Sequence, residues 1–327
     1  MSLASLFSGC GGLDLGFINA GFNIVYANDF DKYAVQSYRH NLGNHIHLGD
    51  ITEIQPESIP EHNILIGGFP CQPFSMMGQQ RGFLDGVRGT LFFNVAQIIQ
   101  YHMPKVVVLE NVRNLRTHDN GNTLATIINT LENIRGNGLG NGYNVNYDIY
   151  DSKDYGVPQT RNRIFLVCIR NDIDVTFTTP NIIPIDVEIN NLQSILEENV
   201  NPKYYLSHRI LPTILAHGTG NYYSRSEIDL QIARPLTATM AKMHRANQDN
   251  YVTQPSEDAV AAGKTNIRRL TPRECARLQG FPEDFEIVVS DSQAYKQFGN
   301  AVTVNVAEAI ANRLIELIPD LIEEHSC

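Results

Sequence analysis

A chain of 327 residues with 43% hydrophobic and 18% charged residues has an ordinary globular composition and is long enough for a full α/β core plus a second, smaller domain. No run approaches the ~18 apolar residues of a membrane span, and the cysteines Cys10, Cys71, Cys168, Cys275 and Cys327 form no CxxC pair, which argues against both a zinc cluster and a disulfide framework. The net charge of -10 excludes a uniformly basic surface for nucleic acid, yet residues 203–277 hold 11 Lys or Arg against 6 Asp or Glu, so one region is locally basic.

In chain order, short β-rich runs alternate with segments of helical period. The first strand is expected at 3–7, close enough to the start to leave no room for a leader, so a cytoplasmic protein is expected. Further strands are expected at 23–28, 45–48, 63–68, 105–110, 145–150 and 164–169, and helices at 13–20, 32–41, 91–102 and 123–134. Such alternation predicts an α/β fold, a doubly wound, mostly parallel sheet that binds ligands at the carboxyl ends of its strands. After about Asn171 the pattern gives way to a stretch rich in Pro, Asn and isolated Ile, then to a polar region with aromatic and basic residues, which predicts a second domain. Thr271-Pro272-Arg273-Glu274 carries the cap, first-turn proline and capping-box acid of a helix start, and 304–318 reads as an amphipathic helix.

The strand ends carry the chemistry. Phe7-Ser8-Gly9-Cys10-Gly11-Gly12 lets backbone approach a nucleotide-like ligand, although Asp14 stands where a dinucleotide fingerprint wants a small residue. Asp29 can accept two ribose hydroxyls and Phe30 can stack on adenine; for these residues alone a glycine turn beside a solvated acid fits equally well. Cys71 follows Phe69-Pro70 at a strand end and opens a segment punctuated by Gly78, Gly82, Gly86 and Gly89, as an accessible nucleophile under a closing lid would. Strand 105–110 delivers Glu110 to the ligand edge, where burial favours a carboxyl that donates a proton. Alternation sets Arg161 and Arg163 on one side, suited to a base carbonyl or a phosphate, with a solvated edge strand as the equal alternative.

The motifs Phe-x-Gly-x-Gly-Gly at 7–12, Pro-Cys-Gln at 70–72, Glu-Asn-Val at 110–112, Gln-x-Arg-x-Arg at 159–163, Arg-Glu-Cys-Ala-Arg-Leu-Gln-Gly-Phe-Pro at 273–282 and Gln-Phe-Gly-Asn-Ala-Val at 297–302 stand in one order. In that order the chain resembles the bacterial C5-cytosine DNA methyltransferases of restriction-modification systems, over nearly its whole length except about 186–265. The resemblance implies a Rossmann-like methyltransferase fold, with 1–185 and about 286–327 forming a catalytic domain and about 186–285 a smaller, hinged target-recognition domain. It implies S-adenosyl-L-methionine as cofactor, held by Phe7, Gly9, Gly11, Gly12, Asp29, Phe30, Asp50, Ile51, Pro70, Asn300 and Val302, and no metal.

It further implies a cytosine site of Cys71, Glu110, Arg161 and Arg163, and a double-stranded DNA substrate whose target base is flipped out. Gln72, Ser75 and Arg88 in the 71–89 lid, and Arg234, Thr237, Lys242 and Arg245 in the variable region, are the expected DNA contacts. Of these, Arg234-Pro235-Leu236-Thr237 resembles the family's target-recognition signature, and base edges and phosphates stay equally open for Lys242 and Arg245. A monomer without membrane attachment is expected, protecting DNA from a cognate restriction endonuclease. The chain departs from the family at Ser5, where Asp is frequent, and the tRNA-methylating branch shares the catalytic motifs.

Overall fold

The computed structural model describes residues 2–70, 90–136, 142–183, 185–219 and 222–321. Seven strands, β1 (Ser2–Leu6), β2 (Asn23–Asp29), β3 (Ile46–Leu48), β4 (Ile64–Gly68), β5 (Val106–Val112), β6 (Tyr143–Asp151) and β7 (Asn162–Arg170), form one sheet in the order β3-β2-β1-β4-β5-β7-β6. Neighbours from β3 to β5 pair in parallel, and β7 runs antiparallel to β5, so the sheet is mostly parallel as the alternation predicts. From β1 the chain winds outward to β2 and β3, and from β4 it winds the other way to β5. The crevice at the carboxyl ends of β1 and β4 is therefore the topological switch where open sheets of this kind take ligands.

Physical reasons for these elements are local. Val106, Val107, Val108 and Leu109 are all fully buried, which is why β5 reads as a continuous apolar run rather than an alternating one. Helices α1 (Gly12–Asn19), α2 (Lys32–Asn41), α3 (Leu91–His102) and α4 (Asn122–Asn133) connect or flank the strands. Asp31 caps α2 by accepting from the backbone of Tyr33 and Ala34, and Thr90 caps α3 by accepting from Phe93 N. Val95, Ile98 and Ile99 of α3 and Ile127 and Leu131 of α4 pack with Val107, Leu109 and Leu166 of the sheet. Each such side chain contributes about 1.5–3 kcal/mol on full burial.

The chain divides into two compact units. One takes in the residues up to Tyr150, Asn162–Asn181 and those from Val306 on; the other holds Asp151–Arg161 and Ile182–Asn305. The second unit thus reaches further than the expected limit near residue 285 and includes the β6–β7 connection. Its reach has a packing cause: Phe298 meets Phe281 and Phe285 edge-on, Tyr295 donates to Leu270 O at 2.6 Å, and Gln159 Nε2 donates to Leu278 O at 2.7 Å. Helix Asp291–Asn300 and the 151–161 connection therefore belong with the helix Pro272–Leu278.

Within that unit, Tyr251–Thr253, Lys264–Arg269 and Tyr205–Ser207 make an antiparallel three-stranded sheet. The capping box expected at Thr271 forms, and Glu274 also pairs with Arg268 at 2.6 Å with both side chains wholly buried. Desolvating two such charges costs several kcal/mol each. Glu274 offsets this by accepting from both terminal nitrogens of Arg268 and from the backbone of Thr271 and Glu197. No helix among the described residues is long and apolar enough to cross a membrane.

Candidate active site

Three residues of the turn after β1 take left-handed backbone, Phe7 (φ 55), Gly9 (φ 58) and Gly11 (φ 98). Glycine suits position 11 because its φ of 98° is strained for any side chain, and a Cβ there would also displace the end of the Leu42 side chain, 2.2 Å away. Its neighbour Gly12 opens α1. The turn is stitched to the end of β2: Gly9 N donates to Asp29 Oδ2 at 2.9 Å, and Asp31 N donates to Asp29 Oδ1 at 2.8 Å. Beside that buried carboxylate, Phe30 is 72% exposed and offers an apolar face. Gly49 N donates to Asp29 O, which brings the segment after β3 alongside. There Asp50 caps a short helical turn and accepts from Thr52 N and Oγ1, holding its carboxyl below the usual range, while Ile51 is buried.

Asp14, read from sequence only as an obstacle to a dinucleotide, is a wholly buried acid behind this turn. Ser5 Oγ and the Tyr38 hydroxyl each donate to it at 2.7 Å, and Ser8 Oγ donates to Ser5 Oγ at 2.8 Å. Burial pushes the Asp14 carboxyl up to about 6, against the pull of those two donors. The serine at the position where the resembled family often has Asp is thus bonded to an acid supplied from α1.

At the other side of the switch, β5 places Glu110 directly beside Gly68 of β4, and antiparallel β7 sets Arg163 opposite Val112. Arg163 Nε lies 3.0 Å from Glu110 Oε1, with both side chains mostly buried, so the acid and one of the two predicted arginines form a pair. Asn111 Nδ2 donates to Phe69 O at 2.7 Å and fixes the chain just ahead of the exposed Pro70. Cys71, Gln72, Ser75 and Arg88, with the rest of the expected lid at 71–89, lie outside the described residues. Cys10, Cys168 and Cys275 are buried thiols, and burial pushes all three pKa values up, that of Cys10 to about 12. None of these three is a candidate nucleophile.

Arg161 does not share Arg163's surroundings, and the expectation of one common side needs correcting. The strand begins at Asn162, so the alternation does not extend back to Arg161, which belongs to the second unit and is 1% exposed. Its guanidinium donates to three backbone carbonyls: Nη1 to Leu236 O at 2.9 Å, and Nη2 to Gly299 O at 2.9 Å and Ala301 O at 2.8 Å.

The remaining predicted residues also lie in the second unit. Asn300 ends a helix and is exposed, and Val302 is buried. Arg234 is mostly covered, with Nη2 3.8 Å from Glu227 Oε2, and its backbone N and O are both bonded by Asn250. Thr237 Oγ1 is buried and bonds to none of the described residues, so the hydroxyl is not presented at the surface. Lys242 is exposed and Arg245 half-buried. The residues to which the sequence alone gave no role are Asn111, Asp14, Gln159 and Asn250; Asn111 and Gln159 had a signal, their places in the Glu-Asn-Val and Gln-x-Arg-x-Arg motifs.

The model of the C-5 cytosine-specific DNA methylase family matches residues 1–316 of the chain. The chain belongs to that family. The Type II methyltransferase M1.ScrFI of Lactococcus lactis subsp. cremoris is 40% identical to the methylase described here, over 97% of this chain and 78% of its own. M.SsoII of Shigella sonnei is 41% identical over 97% and 80%. The crystal structure of S. pombe Dnmt2 methyltransferase matches with a TM-score of 0.72 over 97% of this chain and 98% of that one, at 18% identity, a likeness of fold. The methylase is accordingly an enzyme of C5-cytosine methyl transfer.

Proposed function

We propose that the protein methylates carbon 5 of a cytosine flipped out of a specific short sequence in double-stranded DNA, through a covalent bond between Cys71 and carbon 6 of the ring. The observation that carries this reading is the Glu110–Arg163 pair beside the strand end that leads into Cys71, with Asn111 fixing Phe69 on the way. Carbon 5 of cytosine is a poor nucleophile and needs activation. Addition of the Cys71 thiolate to carbon 6 moves the ring's electron pair toward carbon 5, and Glu110 supplies a proton to N3 so that the resulting enamine is neutral. Arg163, already against Glu110, offsets charge that develops near O2. After methylation, water takes the proton from carbon 5, the double bond re-forms and expels Cys71, and the N3 proton returns to Glu110.

S-adenosylmethionine supplies the electrophilic methyl group of its sulfonium. The residues present fit it: a left-handed turn admits close backbone approach, the Asp29 carboxylate stands beside the turn, and the exposed Phe30 ring offers a stacking face. Phe7, Gly9, Gly11, Gly12, Asp50, Ile51, Pro70, Asn300 and Val302 complete the set that family membership suggests. Asp29→Ala is expected to weaken cofactor binding about 10- to 100-fold, the equivalent of one hydrogen bond to a charged group. Isothermal titration would show this, with target preference unchanged; an altered preference at undiminished affinity would place Asp29 elsewhere.

Target choice is assigned to about 186–265, which overlaps the locally basic stretch 203–277, with the exposed Lys242 and half-buried Arg245 among its cations and Gln72, Ser75 and Arg88 as contacts from the lid. The protective role against a restriction endonuclease rests on the company of relatives such as M1.ScrFI and M.SsoII, both Type II methyltransferases. Bisulfite sequencing of plasmid DNA from cells expressing the chain is expected to show one short motif with a fully methylated cytosine. Unmethylated DNA alongside methylated RNA would overturn the DNA assignment.

A further inference from the structure

We infer that Gln159 and Arg161 are positioning residues that hold the backbone of Arg234–Pro235–Leu236–Thr237 in register with the loop around Asn300, and that neither touches the cytosine. The inference rests on the reading that this region reads a DNA target, and adds the means by which its backbone is set.

Both faces of one peptide segment are gripped. Gln159 Oε1 accepts from Leu236 N at 2.9 Å, while Arg161 Nη1 donates to Leu236 O at 2.9 Å. Just before, Thr160 N donates to Ala233 O and Ala233 N to Pro158 O, so residues 158–161 run as a short ladder beside 233–236. The far ends of the same two side chains reach other segments. Gln159 Nε2 donates to Leu278 O, and Arg161 Nη2 donates to Gly299 O and Ala301 O, the carbonyls on either side of Asn300. From the opposite side, a Cβ on Gly299 would fall 2.3 Å from Thr237 C and O and 2.4 Å from Ala238 N, so only glycine lets the segment lie this close. Gln159 is fully buried and Arg161 nearly so.

A buried guanidinium whose two terminal nitrogens donate to carbonyls of two distant segments is poorly suited to clamp a substrate base, since it would have to abandon them. It is well suited to fix where those segments lie, because its planar fork sets the donor directions. The motif Gln-x-Arg-x-Arg therefore divides its work: Arg163 pairs with the catalytic acid, while Gln159 and Arg161 set the recognition segment.

The test compares Arg161→Lys, which keeps the charge but loses the fork, with Arg163→Lys. For each, KM for DNA, discrimination between the target and a site altered at one base, and the single-turnover rate at saturating DNA are measured. For Arg161→Lys a roughly tenfold rise in KM and a roughly tenfold loss of discrimination are expected, with the rate reduced less than about threefold. Arg163→Lys is expected to do the reverse. Should the lysine variant not fold, as judged by thermal unfolding, Gln159→Met removes both of that side chain's bonds without adding a charge and is read by the same three quantities. A loss confined to the single-turnover rate, or discrimination equal to the wild type's in the folded variant, overturns the inference. The wild-type control keeps the two readings apart: if it methylates no DNA, the assigned substrate is at fault, and the inference falls with it.

Discussion

Cys71→Ser is expected to remove methyl transfer by about a thousandfold or more while changing S-adenosylmethionine affinity less than about twofold. A serine hydroxyl stays protonated where a thiol yields a workable fraction of thiolate, and the thiolate is also the stronger nucleophile toward carbon 6. Asp29 and Phe30, proposed to hold the cofactor, lie at the end of β2, a different strand from the one that leads into Cys71, so binding should survive the change. Incorporation of label from S-adenosyl-[methyl-³H]methionine into plasmid DNA measures the first quantity and calorimetry the second. Retention of more than a few per cent of the rate would exclude a covalent Cys71 step. The described cysteines leave little room for a substitute, because Cys10, Cys168 and Cys275 are buried with raised pKa values.

Much of the frame was legible because its signals are local. The run at β5 is apolar on consecutive positions since both faces are covered, and Thr271 announces a helix start through a bond to its own next turn. The glycine turn and Glu110 were legible for the same reason: each sits where a recognisable strand stops. What stayed hidden depends on partners far away in sequence. Arg161 was set beside Arg163 by an alternation that holds only inside a strand, and nothing near it in the chain announces the carbonyls of Leu236, Gly299 and Ala301. The same is true of Asp14, whose hydroxyl partners come from β1 and α2, and of the second unit's limit, which is set by the rings of Phe281, Phe285 and Phe298.

DNA with 5-fluorocytosine at the target is expected to trap the enzyme covalently in the presence of S-adenosylmethionine, and Glu110→Gln is expected to slow trapping by about 10²- to 10⁴-fold. Release of Cys71 requires carbon 5 to lose a proton, and fluorine cannot leave in its place, so the methylated adduct persists through denaturing electrophoresis. The dependence on Glu110 separates two roles for that carboxyl. If it only orients the base, glutamine keeps a hydrogen-bonding group of the same shape and trapping should be nearly as fast as in the wild type. If it supplies the N3 proton, glutamine has none to give, the ring carries negative charge as Cys71 adds, and Arg163, left beside a neutral amide at 3.0 Å in place of its carboxylate partner, only partly offsets it. Peptide mapping of the adduct should return the segment containing Cys71. A complex that dissolves on denaturation, or a bond mapped to Cys10 or Cys275, would mean that the chemistry runs through another thiol or through no covalent step.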